Sequence, residues 1–105
     1  MDSWIIGRSD SCDIVVAFPT VSRRHAKLSG TGPEVDIRDI GSSTGTFVIQ
    51  NGDWAQVMQA KVTCDEPIKL GDHKTTARAL LATAGIEAVS ANPALNDIAT
   101  QPRRG

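Results

Sequence analysis

Apolar residues in this chain never run long. They come in short bursts cut by glycine, proline, serine and aspartate. Val35-Asp36-Ile37-Arg38 shows the pattern in its simplest form, apolar and polar by turns, the period of a strand with one buried face. Trp4-Ile5-Ile6 stops at Gly7 and the polar Arg8-Ser9-Asp10-Ser11. Asp13-Ile14-Val15-Val16 is β-branched and ends at Ala17-Phe18-Pro19-Thr20, where the proline donates no hydrogen bond and keeps Phe18 out of a helix. His25-Ala26-Lys27-Leu28 closes on Ser29-Gly30-Thr31-Gly32-Pro33. Thr46-Phe47-Val48-Ile49 precedes Asn51-Gly52, a hairpin-turn pair. Ala55-Gln56-Val57, Lys61-Val62-Thr63 and Pro67-Ile68-Lys69-Leu70 follow, then a turn at Gly71-Asp72. Short strands punctuated this often predict an all-β sandwich of mostly antiparallel strands.

A chain of 105 residues is one domain. Its only aromatics are Trp4, Phe18, Phe47 and Trp54, so the core must rest on Ile, Val, Leu and Ala. Ala77-Arg78-Ala79-Leu80-Leu81-Ala82 has high helix propensity. A last strand would suit the sandwich better, and the strand is the expectation over 75–82. After Gly85 the pattern dissolves into Ala, Ser, Asn, Pro and Thr. Residues 1–83 are therefore read as the domain and 84–105 as a flexible tail or linker.

Net charge is −1, so nothing pulls the whole chain toward nucleic acid or anionic lipid, and any anion site must be local. Cys12 and Cys64 lack metal-ligand spacing and read as two reduced thiols of a cytoplasmic protein. No metal or cofactor is expected. No apolar run approaches the ~18 residues of a membrane span. Met1-Asp2-Ser3-Trp4 lacks the basic start of a secretory signal.

Three motifs stand close together. Gly7-Arg8 comes first, then Val21-Ser22-Arg23-Arg24-His25-Ala26, then Gly41-Ser42-Ser43-Thr44-Gly45-Thr46-Phe47-Val48. A phosphate dianion carries about −1.5 to −2 charges and presents three acceptor oxygens. Holding it takes a guanidinium, hydroxyls and backbone N–H groups. Arg8 follows a glycine at a strand end and can project from a loop. Ser22, Ser43 and Thr44 are loop hydroxyls, and Gly41 and Gly45 let the backbone turn its N–H groups outward. These groups recognise phosphate well and catalyse poorly.

In this order the motifs resemble the forkhead-associated (FHA) domain, from about Trp4 to about Leu81, in a small protein of bacterial type. The resemblance implies a β-sandwich of about eleven strands with recognition loops at one end. It implies that Arg8, Ser22, Arg23 and Ser43 bind phosphate and that Thr44 meets the peptide. It further implies that Gly7, His25, Gly45 and Thr46 support the site, with His25 bracing the loops. The function implied is phosphothreonine-dependent protein binding without catalysis, as an adaptor beside a Ser/Thr kinase, with a phosphothreonine-containing partner and neither nucleic acid nor membrane. Three departures stand out. The family usually has Asn where this chain has Thr44. Ile49-Gln50 separate Phe47-Val48 from Asn51-Gly52. Only Met1 to Ile6 precede Gly7, so the first strand is short or missing.

Thr44 and the short start also suit a phosphate-independent interaction or dimerisation domain with a degenerate site. A hydrolase built on Ser22 and His25 would need an oriented base and an oxyanion site, and neither motif is evident. Arg24, His73 and Asp65-Glu66 read as solvated residues, and Asp39 as a turn residue before Gly41.

Overall fold

The computed structural model describes residues 3–88. Nine strands lie within them: β1 (Ser3–Gly7), β2 (Ile14–Val15), β3 (Ala26–Ser29), β4 (Glu34–Asp39), β5 (Thr46–Gln50), β6 (Asp53–Gln56), β7 (Gln59–Thr63), β8 (Pro67–Leu70) and β9 (His73–Thr76). The helix α1 (Ala77–Thr83) follows. One sheet has the order β2-β1-β3-β4-β7, the other β6-β5-β8-β9. Every pairing is antiparallel except β1 with β2. The alternation read in the sequence sorts the side chains: Leu28, Val35, Ile37, Val48 and Ile68 point into one apolar core between the sheets.

The chain changes sheets over two residues. The Val57 amide donates to the Thr46 carbonyl of one sheet, and the Met58 carbonyl accepts from the Asp39 amide of the other. Strands β6 and β7 are neighbours in sequence yet lie in different layers, and β7 pairs instead with β4. This corner sets the end of β4 beside the start of β5, where the recognition loops begin.

The strand expected over 75–82 is corrected: β9 ends at Thr76 and a helix takes over. Three local forces favour it. Ala and Leu are the strongest helix formers. The Thr76 hydroxyl accepts the Ala79 amide as an N-cap. At the far end Gly85 and Ile86 donate to the carbonyls of Ala82 and Leu81, the paired bonds of a Schellman cap. The helix buries Ala77, Leu80 and Leu81 in the core. Ile86 packs against that core and Ala88 is buried, whereas the rest of the expected tail, 89–105, lies outside the described residues. Asp65, expected to be merely solvated, pairs with Arg78 at 2.7 Å. His73 opens β9 with its ring 4.9 Å from that of Phe18.

Candidate functional site

At the loop end of the sandwich, Arg8, Ser22, Arg23, Ser43 and Thr44 line one depression of about 240 Å³ together with Pro19, Thr20 and Val21. All five residues expected to touch ligand are thus brought together from three loops. Arg24 is exposed and is not in the lining.

The first loop is zipped to the second. The amides of Arg8 and Ser9 donate to the carbonyls of Ser22 and Arg23 at 2.9 and 3.2 Å. Gly7 makes this approach feasible, because a Cβ there would stand 2.0 Å from the Arg23 carbonyl oxygen. Arg8 Nε donates to the Val21 carbonyl at 3.0 Å, which fixes the guanidinium plane and leaves its terminal nitrogens for an anion. The Cys12 thiol donates to the Arg23 carbonyl at 3.0 Å and braces the same backbone from behind.

His25 joins the second loop to the third. Its ring is fully buried. Nδ1 accepts the Ser22 amide at 3.0 Å. A backbone N–H can only donate, so Nδ1 carries no proton and Nε2–H donates to the Gly45 carbonyl at 2.9 Å. The ring is the neutral Nε2–H tautomer. Neither nitrogen meets the Ser22 hydroxyl, which instead accepts the Ser43 amide at 2.9 Å. The Ser–His pair of a hydrolase is not formed. The same bond occupies one lone pair of the Ser22 oxygen and leaves the hydroxyl proton to donate.

Asp39 organises the third loop, a role beyond the simple turn expected of it. Its Oδ1 accepts the amides of Gly41 and Ser42 at 2.8 and 2.9 Å. Its Oδ2 accepts the Ser42 hydroxyl and, at 2.8 Å, the Thr46 hydroxyl. The Ser42 oxygen in turn accepts the Gly45 amide at 3.0 Å. Burial pushes the Asp39 carboxyl upward. The hydrogen bonds from Ser42, Gly41 and Thr46 outweigh it and hold the group below its ordinary value of 3.8. Asp39 and Ser42 were not among the expected site residues. Their signal is an aspartate two residues before a glycine, the pattern of an Asx turn. Gly45 supplies the reversal at a positive φ of 95°, with Phe47 and Gln56 packed against it.

The Thr44 hydroxyl is engaged within the protein. It donates to the Thr20 carbonyl at 2.6 Å. The Thr20 hydroxyl accepts the Asp72 amide at 2.9 Å, and the Gly71 amide donates to the Gly45 carbonyl at 2.9 Å. Thr44 and Thr20 therefore latch the β8–β9 turn onto the other loops. With its one proton committed, Thr44 can only accept from a peptide, where an amide side chain could also donate.

The fold is thus a β-sandwich that gathers polar side chains from its loops at one end. The family model described as FHA domain matches residues 4–73, and the chain belongs to that family. FHA domain-containing protein FhaB of Mycolicibacterium smegmatis is 38% identical over 68 residues, 64% of this chain and 41% of that protein. The chain thus spans about two fifths of the length of that relative. Among solved structures, Mycobacterium tuberculosis EmbR in complex with a low-affinity phosphopeptide is 31% identical with a TM-score of 0.57, covering 70% of this chain and 19% of EmbR. An FHA structure from an analysis of phosphothreonine-dependent FHA interactions is 30% identical with a TM-score of 0.60, covering 70% of this chain and 73% of its own.

Proposed function

We propose that this chain is a non-catalytic, phosphothreonine-dependent protein-binding module that serves as an adaptor in Ser/Thr kinase signalling. The observation that carries this reading is the meeting of two guanidinium side chains, Arg8 and Arg23, with the hydroxyls of Ser22 and Ser43 in one depression. Arg8, held in its plane by Val21, pairs with the phosphate. The Ser22 hydroxyl donates its remaining proton to a phosphate oxygen. Arg23 adds the second positive charge, and Ser43 lies beside the phosphothreonine. Thr44 accepts a peptide N–H. Pro19 and Val21 are the apolar residues of the depression and the candidates to meet the threonine methyl, a contact that discriminates by only ~1–3 kcal/mol. The relatives solved with phosphopeptide or studied for phosphothreonine dependence support the same reading.

The experiment is a titration of paired peptides, identical but for phosphorylation of one threonine, against the wild type and Arg8→Ala. Only the phosphorylated peptide should bind. The variant should lose about 2–5 kcal/mol, as removal of one partner of a desolvated charge pair does. Equal binding of both peptides overturns the proposal in favour of a phosphate-independent interaction domain.

A further inference from the structure

The outer face of the five-stranded sheet carries a second concave surface, away from the loop depression. Cross-strand register sets two rows there. In one row Lys27 lies opposite Arg38, and Arg38 opposite Gln59. In the other Ser29 lies opposite Asp36, and Asp36 opposite Lys61. Half-buried Ser29 and Asp36 make the floor, and the longer exposed side chains of Lys27, Arg38, Gln59 and Lys61 stand around it. The resulting hollow measures about 350 Å³.

Its charges are poorly matched from within. Lys27 and Arg38 are like charges placed directly opposite, an arrangement that destabilises a sheet. The one carboxylate is already engaged: both Asp36 oxygens accept from the Gln59 amide, at 3.0 and 3.2 Å. Arg38 spends one N–H on the Gln59 carbonyl oxygen at 3.2 Å and has four more. Among the described residues, none of the three cations lies within salt-bridge distance of a carboxylate. One of the two strand lysines of the other sheet, Lys69 rather than Lys74, is held differently. Lys69 there lies 5.2 Å from the Phe47 ring centroid and 4.8 Å from that of Trp54, covered by aromatic faces.

We infer that this hollow is a docking surface for an acidic, extended segment of a partner protein, rich in aspartate or glutamate. Charge complementarity selects that occupant: three cations stand against one carboxylate that is already bonded, on a chain whose net charge is −1. The floor carboxylate and the lack of an aromatic ring in the lining disfavour nucleic acid, which asks for continuous positive charge and stacking. No apolar residue lines the hollow to insert among acyl chains, which disfavours a lipid surface. The inference does not depend on the phosphate depression, because no residue lines both.

The test uses the full chain and a labelled, unphosphorylated peptide of alternating glutamate and glycine, followed by fluorescence anisotropy. The wild type should bind it, more weakly as salt rises. Lys27→Glu combined with Arg38→Glu should weaken binding roughly tenfold or more, since reversed charges now oppose the ligand. Lys27→Gln with Lys61→Gln should give a smaller loss in the same direction. Arg8→Ala should leave binding unchanged, as should Arg103→Glu with Arg104→Glu, which alters net charge equally. No binding by the wild type overturns the inference, as does equal loss in the terminal-arginine control. So does loss in Arg8→Ala, or tighter binding of a single-stranded oligonucleotide than of the peptide. Circular dichroism checks that each variant is folded.

Discussion

The recognition loops and the helix hold their backbone by opposite means. At the loop end, buried polar groups converge: the His25 ring spans two loops and the Asp39 carboxylate gathers four donors. Around α1, apolar side chains do most of the holding, with Ala77, Leu80 and Leu81 inside the core and caps at each end. Apolar burial is non-directional and tolerates small shifts. Hydrogen bonds fix angles. The region proposed to present groups to a phosphate at set positions is therefore the one built on hydrogen bonds.

That contrast can be broken most forcefully at Leu81, which is fully buried. Leu81→Ala should cost about 2–5 kcal/mol of folding stability, measured by urea unfolding. Phosphopeptide affinity of the molecules still folded should stay close to wild type. A large affinity loss would mean that the helix also sets the loop geometry.

Asp39→Asn tests the other side. It replaces an acceptor-only group with an amide and should cost about 1–3 kcal/mol, with a disproportionate loss of peptide affinity. The same carboxylate predicts an acid dependence. Its folded value lies below the ordinary one, so its contribution is fully present above the unfolded value, about 3.9, and is lost as pH falls through the folded value. Unfolding midpoints at successively lower pH should drop in the wild type below about pH 4 and drop less in Asp39→Asn. Parallel curves would show that other groups carry the acid response.

The smallest effect belongs to Thr76→Ala. Removing the N-cap acceptor should cost about 1 kcal/mol, read by thermal unfolding, and leave peptide binding untouched. A binding defect would erase the division of labour between the two regions.

How much of this was legible in the sequence differs by region. The strand faces were, because alternation assigns Lys27, Arg38 and Lys61 outward and Leu28, Ile37 and Val62 inward without tertiary information. The collection of Arg8, Ser22, Arg23, Ser43 and Thr44 was legible from motif order. The helix was present in the chain as Thr76, a run of Ala and Leu, and Gly85. The expectation of a last strand weighed only propensity and not those caps, and the helix won because it is capped and also buries three residues. The pairing of β4 with β7 was not legible, since two residues at 57–58 turn the chain into the other layer. The hollow on the outer face depends on that pairing, so its residue types could be seen and its shape could not. Nor could the use of the Thr44 proton be read, because its acceptor lies 24 positions back along the chain.

The Gly45 carbonyl receives both the His25 ring and the Gly71 amide, so its two lone pairs are filled from two other segments. Three loops share one oxygen as a common hinge pin. A ligand arriving at such an end has little chain left to organise. Ordering a loop or a flexible side chain at an interface costs about 0.5–1.5 kcal/mol for each group fixed, and here much of that ordering was completed during folding. Association should therefore resemble rigid docking, with the rate set by encounter and steering, and differences among peptides should emerge in how long each one stays.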